Sequence, residues 1–463
     1  MADVIHGALI DDGPMDWQIL QRDATGTGEI RLRGRWLHAE PGSVEARLVG
    51  EDTGVAVSAA LDWRPVETRP DGTWSALLAG IPAGGLYRLE TRYRPANQPD
   101  GEWAPRGDMR HFLGVGDIWV IAGQSNSAGY GRGPYNDPPE LGVHLFRNSE
   151  QWALATHPMN ESTGIRPGRP LENANPGHSP YLHFGRLLQR ALGCPIGLVQ
   201  TALGGSPLSR WNPAEPGASD LYDHMIRCIG AVGGKVTGIL WYQGESETNN
   251  REVAVTSGER FVAAVRAWRE RLGAPSLPVI TVQLNRLYNT TDTNTDLYWS
   301  LVREAQRRVP RQLPAVAVVP SLDLPLCDLV HTGTAGNLLL GERVARAALG
   351  MVYGRPVDYL APEARSARRT ESGNAVEVSF ANVTSRINNP DQLAKPFRVE
   401  DSKGVIPIRQ VVYPKNATVQ LLLERPLSGE AAVHGGYGMN PDQMPLDIER
   451  LLPILAFHGL KVD

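Results

Sequence analysis

GVGDIWVIAGQSNSAGYG, residues 114–131, decides how the rest of the chain is read. Ile118, Trp119, Val120, Ile121 and Ala122 form an unbroken apolar run, as expected of a strand covered on both faces. The run stops on Gly, Gln, Ser and Asn, so the strand ends either in a turn or in a nucleophile. In an open parallel sheet, ligands bind beyond the carboxyl ends of the strands, and Ser125 stands at such an end.

Four more apolar runs follow at PIGLVQ (195–200), GILWYQ (238–243), PVITVQL (278–284) and AVAVVP (315–320). Helical patterns lie between and after them near 180–192, 220–232, 257–272, 299–309 and 334–349. The third is the clearest: Phe261, Val265, Trp268 and Leu272 share a face, Thr256 and Glu259 have capping-box spacing, and Gly273 can end the helix. Strand and helix alternating in this way imply a parallel sheet with right-handed crossovers. The stretch 130–178 is rich in Gly, Pro and Asn and long for a connection, a pattern often tied to function.

On either side the period changes to two. EIRLRGRW, VEARLVG, TWSALLAGI and GLYRLETRY alternate before Gly114, and AVEVSF, GVIPIRQVVY and TVQLLLERP alternate after Gly354. The expected architecture is α/β: a five-stranded parallel sheet flanked by helices, with β-sandwich regions at both ends. The expected domains are 1–113, 114–353 and 354–463.

A formal charge of −4 and a pI near 6.3 provide no basic field for a polyanion, which disfavours nucleic-acid binding. No apolar run is long enough to cross a bilayer, and MADVIHGALIDDGPMDW lacks a signal-peptide pattern. The chain is expected to be soluble, with no membrane partner; the compartment stays open between cytoplasmic and secreted or periplasmic, as does the oligomeric state. Cys194, Cys228 and Cys327 have neither metal-ligand nor CxxC spacing and read as free thiols.

The segments after the strands carry the chemistry: GQSNSAG at 123–129, ALGGSPLSRW at 202–211, QGESET at 243–248 and SLDLPLCDLVH at 321–331. Ser125 is the candidate nucleophile, which needs a base to take its proton. His331 is the candidate base, three residues after Asp328, whose carboxylate can orient the imidazole. The N–H groups of Ser125 and Gly205 and the amide of Gln243 could form an oxyanion hole. Arg210, Trp211, Gln124, Asn126 and Glu245 are the candidate substrate-binding residues, with Tyr130, Tyr135 and Trp241 as further aromatic candidates. Each feature alone has a plain structural explanation: a turn or N-cap for Ser125, a surface pair for Asp328 and His331, a core position for Trp241. Glu247 reads as solvated, His178 as loop and His183 as helix surface. The joint appearance at four strand ends favours acyl transfer.

These residues resemble the SGNH/GDSL hydrolase superfamily and, within it, sialate O-acetylesterase-like carbohydrate esterases. The resemblance rests on GDIWVIAGQSN, GGSPLSRW, LWYQGESET and DLVHTGTAGNLLLGERVA, with GHSPYLHFGRLL and PIGLVQTALGGS, and covers most of 114–350. It implies Ser125 as nucleophile, His331 as base, Asp328 as orienter, and Ser125 N–H, Gly205 N–H and Gln243 as the oxyanion hole. The wider superfamily places Asn where Gln243 stands. The resemblance implies no metal or cofactor, and release of acetyl groups from sugar hydroxyls, so the expected partner is an acetylated sugar or oligosaccharide. The GxSxG elbow of α/β-hydrolases is absent, because Ser127 occupies its second Gly position. Two alternatives remain: a non-catalytic carbohydrate-binding protein with a degenerate hydrolase domain, and an esterase for xylan acetyl or another acyl ester.

Overall fold

The computed structural model describes residues 7–98, 104–165, 167–172, 176–215, 217, 219–289 and 292–463. At its centre, strands β1 (Arg106–Gly123), β2 (Val143–Phe146), β3 (Trp152–Leu154), β4 (Ile196–Gln200), β5 (Gly238–Tyr242), β6 (Val279–Val282) and β7 (Val316–Val319) lie in the order β3-β2-β4-β1-β5-β6-β7. Every pair from β2 to β7 across the sheet is parallel, and β3 pairs antiparallel with β2. The five strands read from sequence are adjacent in this order. The expected count of five is corrected by β2, a sixth parallel strand inside the stretch read as a long loop. Its four residues, Val143–Phe146, are too few to show a period among Gly and Pro.

Side chains alternate across the sheet, and both faces are covered. Trp119, Ile121, Leu198 and Leu240 pack beneath helices α2 (Tyr181–Leu192), α5 (Thr293–Arg308) and α6 (Thr334–Met351). Ile118, Val120, Val199, Ile239 and Trp241 pack against α3 (Asp220–Ala231) and α4 (Arg251–Arg271). Burying each large apolar side chain contributes about 1.5–3 kcal/mol, which explains why these strands carry no polar face.

The helix starts differ from the sequence reading. Helix α4 begins at Arg251, where the Asn250 side chain accepts the N–H of Val253, six residues before the expected start. Thr256 lies inside the helix with its hydroxyl donating to Glu252 O, so the capping-box reading fails. Helix α5 begins at Thr293 behind an Asp292 cap rather than near 299. A side-chain oxygen that accepts an early helix N–H sets the boundary more strongly than where the apolar stripe begins.

Before the central sheet, strands Gly7–Asp12, Thr27–Leu37, Thr73–Pro82 and Glu67–Thr68 form an antiparallel sheet. Its apolar face meets residues of Gly42–Gly50 and Gly84–Pro95 in a shared core that includes Leu32, Val44, Leu48, Trp74 and Leu89. Gly84–Pro95 also pairs with β1, so one 18-residue strand runs from that layer into the central sheet. The expected 113/114 boundary therefore falls within a continuous strand.

After α6, two further four-stranded antiparallel sheets pack around Val378, Val399, Val419, Leu421, Val433 and Phe457. The buried Arg303 of α5 ties this part to the sheet by donating to Leu284 O, Asn285 O, Gly436 O and Met439 O. Among the described residues, no helix is long and apolar enough to cross a membrane.

Candidate active site

Strand β1 lies between β4 and β5, where the chain order of the sheet changes direction. This topological switch opens a crevice at the carboxyl end of β1. Gly123 makes the exit turn possible. Its φ is +120°, and an added Cβ would lie 2.3 Å from Tyr242 O. The next turn, helix α1 (Ser125–Ala128), directs the Ser125 hydroxyl toward the crevice, while Ser127 points inward and donates to Ala122 O at 2.8 Å.

Ser125 Oγ lies 2.9 Å from His331 Nε2, and His331 Nδ1 lies 2.7 Å from Asp328 Oδ2. With Nδ1–H donated to the carboxylate, Nε2 is left to accept the serine proton. Asp328 also shapes its own loop, because Oδ1 accepts the N–H groups of Val330 at 2.9 Å and His331 at 2.7 Å. Cys327 N–H closes the same loop by donating to His331 O. Burial raises the Asp328 carboxyl, but these two N–H groups and the imidazole outweigh it and hold it below its ordinary value.

Ser125 and His331 open onto a cavity of about 730 Å³ with Tyr130, Leu171, Glu172, Leu203, Gly204, Gly205 and Arg210. The Tyr130 ring stacks on His331 with centroids 4.9 Å apart. Its hydroxyl donates to Glu172 Oε1 at 2.5 Å, and Glu172 Oε2 accepts the N–H of Gly204 at 2.9 Å. Glu172 thus joins the ring beside the imidazole to the loop after β4. Gly204 has no room for a side chain, since an added Cβ would meet the Tyr130 hydroxyl at 2.4 Å. Nothing in the sequence pattern singles out Glu172; its role depends on a fold that brings residues 130, 172 and 204 together.

Gly205 lines the cavity with φ at +66°. Among the described residues, the N–H groups of Ser125 and Gly205 meet no acceptor. Gln243 departs from the sequence reading. Its amide donates to Ser206 O and to Glu247 Oε2, and it lines a separate interior cavity of about 20 Å³ beneath α4 and α5. Glu247, read as solvated, is 1% exposed; it also accepts the N–H of Leu208, and burial pushes its carboxyl above the ordinary value.

Of the candidate substrate-binding residues, Arg210 and Tyr130 line the cavity; the Arg210 guanidinium is paired to Asp220 at 2.6 and 2.9 Å. Trp211 is fully buried in the core edge-on to Trp241, with Nε1–H on Ser206 Oγ, so it cannot stack on a sugar in this arrangement. Asn126 is turned into the protein. Its amide donates to Val330 O and Glu245 Oε1, and its oxygen accepts Thr332 N–H, so it grips the chain on both sides of His331. Gln124 is buried and accepts the N–H of Ser246. Glu245 is half-buried behind Asn126, and desolvation of its carboxyl raises it above the ordinary value. Tyr135 lies over His178 and His157, away from the Ser125 cavity lining.

The parallel sheet and its switch-point cavity define an α/β enzyme fold. Residues 115–350 match the family described as carbohydrate esterase, sialic acid-specific acetylesterase, and the chain belongs to that family. Membership makes it a carbohydrate O-acetylesterase. A "probable carbohydrate esterase" of Arabidopsis thaliana is 30% identical over 255 residues, covering 50% of this chain and 90% of that protein. The sialate O-acetylesterase of Rattus norvegicus is 22% identical over 263 residues, 43% of this chain and 46% of the relative. The chain thus spans less than half the length of that relative. The crystal structure of a carbohydrate acetylesterase from Xanthomonas citri aligns with a TM-score of 0.69 at 23% identity, over 96% of this chain and 99% of that one, so the two share a fold.

Proposed function

We propose that the protein is a serine esterase that removes O-acetyl groups from a carbohydrate, either a sialic acid or a plant polysaccharide such as xylan, through an acetyl-Ser125 intermediate. The observation that carries this reading is the chain Asp328–His331–Ser125, with contacts of 2.7 and 2.9 Å, opening onto a cavity of about 730 Å³, large enough to admit a sugar. Ser125 Oγ attacks the acetyl carbonyl carbon while His331 Nε2 takes the hydroxyl proton. The N–H groups of Ser125 and Gly205, unengaged by other described residues, stabilise the oxyanion. His331 returns the proton to the departing sugar oxygen. It then takes one from the water that attacks the acetyl-Ser125 carbonyl and passes it to the departing Ser125 Oγ as acetate is released. Asp328 holds the imidazole in the tautomer this cycle needs.

Tyr130, Leu171 and Leu203 provide apolar walls for a sugar face, and Arg210 provides a cation at the cavity edge. Sialic acid fits the family description and the names of the sialate O-acetylesterase relatives. We place the catalytic unit at 114–353, with accessory β units at 1–113 and 354–463.

The test is hydrolysis of p-nitrophenyl acetate and of a panel of acetylated sialic acids and xylo-oligosaccharides by the parent chain and by Ser125→Ala. The expected result is a fall in kcat of about 10⁴-fold or more in the variant, with an unchanged circular dichroism spectrum. Full turnover in that variant would remove Ser125 from the chemistry. Glycan binding without ester cleavage by the parent chain would replace the enzyme reading with a binder.

A further inference from the structure

Away from the Ser125 cavity, the carboxylate of Asp137 sits among the rings of His157, His178 and His183. The side chains of Asp137 and His178 are 0% exposed and that of His157 is 3% exposed. Asp137 Oδ2 lies 3.0 Å from His157 Nε2 and 3.3 Å from His178 Nε2. Ligating atoms from these three residues all fall within 4.8 Å of one another. His178 Nδ1 has no hydrogen-bond partner, and the only polar groups facing His178 Nε2 and His183 Nδ1 among the described residues are the Asp137 oxygens at 3.3 and 3.6 Å. Buried imidazole nitrogens without partners are costly and need an explanation.

We propose that Asp137, His157 and His178 form a structural site for a first-row divalent transition ion of the zinc type. Ligands about 2.0–2.1 Å from a tetrahedral Zn²⁺ lie about 3.3 Å from one another, close to the two spacings from Asp137 Oδ2, with the imidazole nitrogens within 4.8 Å of each other. Two imidazoles and one carboxylate suit zinc and its neighbours in the first row, whereas calcium and magnesium prefer oxygen cages. Arg186 donates to Asp137 Oδ1 at 2.7 Å, which fixes the carboxylate's orientation and turns Oδ2 toward the two imidazoles. Two contacts oppose the site: His157 Nε2 hydrogen-bonds to Asp137 Oδ2 at 3.0 Å, and Ser179 N–H points at His157 Nδ1 from 3.4 Å; ligation through Nε2 would sacrifice both. His178 is the ligand whose ring nitrogens have no other partner, so it is the residue to test.

The physical benefit lies in the chain between Gly129 and Ser179. Among its described residues, β2 and β3 are the only strands of more than one residue, and no helix occurs. An ion joining residues 137, 157 and 178 would close this excursion at three points, where few backbone ladders do so. His178 and Gly131 exchange backbone hydrogen bonds at 2.9 and 3.1 Å, and Gly131 follows Tyr130, the ring stacked on His331. The same ion would therefore steady one wall of the Ser125 cavity, although the proposal is independent of the acyl chemistry.

The experiment takes the 463-residue chain treated with a chelator and titrates it with Zn²⁺, and separately with Co²⁺, by calorimetry and absorption spectroscopy. The expected result is one equivalent bound per chain, tetrahedral Co²⁺ bands in the visible region and a higher Tm on adding Zn²⁺. His178→Asn should weaken the binding by about 100-fold or more, while His434→Asn, in the distant His434–His458 pair, should leave it unchanged. Absence of a saturable equivalent, or binding that survives His178→Asn, overturns the site and leaves a hydrogen-bonded Asp–His cluster. If His178→Asn fails to fold, the Co²⁺ spectrum of the parent chain decides, and octahedral or absent bands count against the proposal.

Discussion

Two polar turns stand side by side at the centre of the sheet: residues 124–129 after β1 and residues 243–248 after β5. Both follow buried parallel strand segments, 117–123 and 238–242, and both begin with glutamine. The first turn directs Ser125 outward to His331, whereas the second folds Gln243 inward onto Glu247 and Ser206 O. The surroundings of each side chain account for the difference. Across from Ser125 stands an imidazole held by Asp328; across from Gln243 stand the carbonyl of Ser206 and a buried carboxylate whose Oε2 takes its hydrogen bond from the Gln243 amide. A strand end at the switch point offers access to a ligand, and the partner groups decide which side chain uses it.

The sharpest way to break this comparison is His331→Ala. The expected fall in kcat on p-nitrophenyl acetate is about 10⁴-fold or more, with little change in Tm. A fall of less than tenfold would mean that the outward turn is no more catalytic than the inward one.

Asn126→Ala tests what aims the imidazole. Its amide bridges Val330 O and Thr332 N, so its loss should lower kcat by about 10²-fold and cost about 1–3 kcal/mol of stability. A kinetic defect rescued by Asn126→Asp, which keeps the acceptor for Thr332 N–H, would assign the aim to that one bond.

Gln243→Ala comes next. A side chain donating to the oxyanion would cost about 10²–10³-fold in kcat. With its amide committed elsewhere, the expected kinetic loss is below about tenfold. The main effect is a stability loss of about 1–3 kcal/mol, read by urea unfolding, from the Glu247 oxygen left without its donor. A large fall in kcat with unchanged stability would show that the amide swings outward during turnover.

The smallest effects are in pH linkage, and they have opposite signs in the two regions. Asp328 has a folded value below its unfolded one, so its stabilisation is present above the unfolded carboxylate range and is lost as pH falls through the folded value. Glu247 is raised by burial, so the native state retains its proton after the unfolded chain has lost it. Its contribution to stability therefore declines as pH rises above the unfolded carboxylate value until the folded value is passed. In thermal melts, Glu247→Gln should gain Tm relative to the parent more at about pH 8 than at about pH 4. Asp328→Asn should lose more at about pH 8 than at about pH 3. Parallel trends in the two variants would contradict the contrast between the turns.

Much of the fold is legible in particular stretches. DIWVIA and GILWYQ carry no polar face because both faces of their strands are covered, and period two marks the flanking sheets. What escaped the reading was short or non-local: β2 with four residues, and a strand that continues through the expected domain boundary at 113/114. In the site, the chemical types at 125, 328 and 331 could be named from spacing. The inward turn of Gln243, the burial of Trp211 and the bridging role of Glu172 could not, because each depends on partners at least four residues away in the chain that only the fold brings into contact.

By itself, the sequence determined where apolar runs begin and end, and thus which residues could stand at the carboxyl edge of a parallel sheet. It also placed an acid three residues before a histidine, a spacing that a single tight loop can close. Only the tertiary structure decided which of those edge residues look into the cavity and which are spent holding it together. A side chain's direction is set by the donors and acceptors that packing brings to it, and at this site those come from segments up to 206 residues apart.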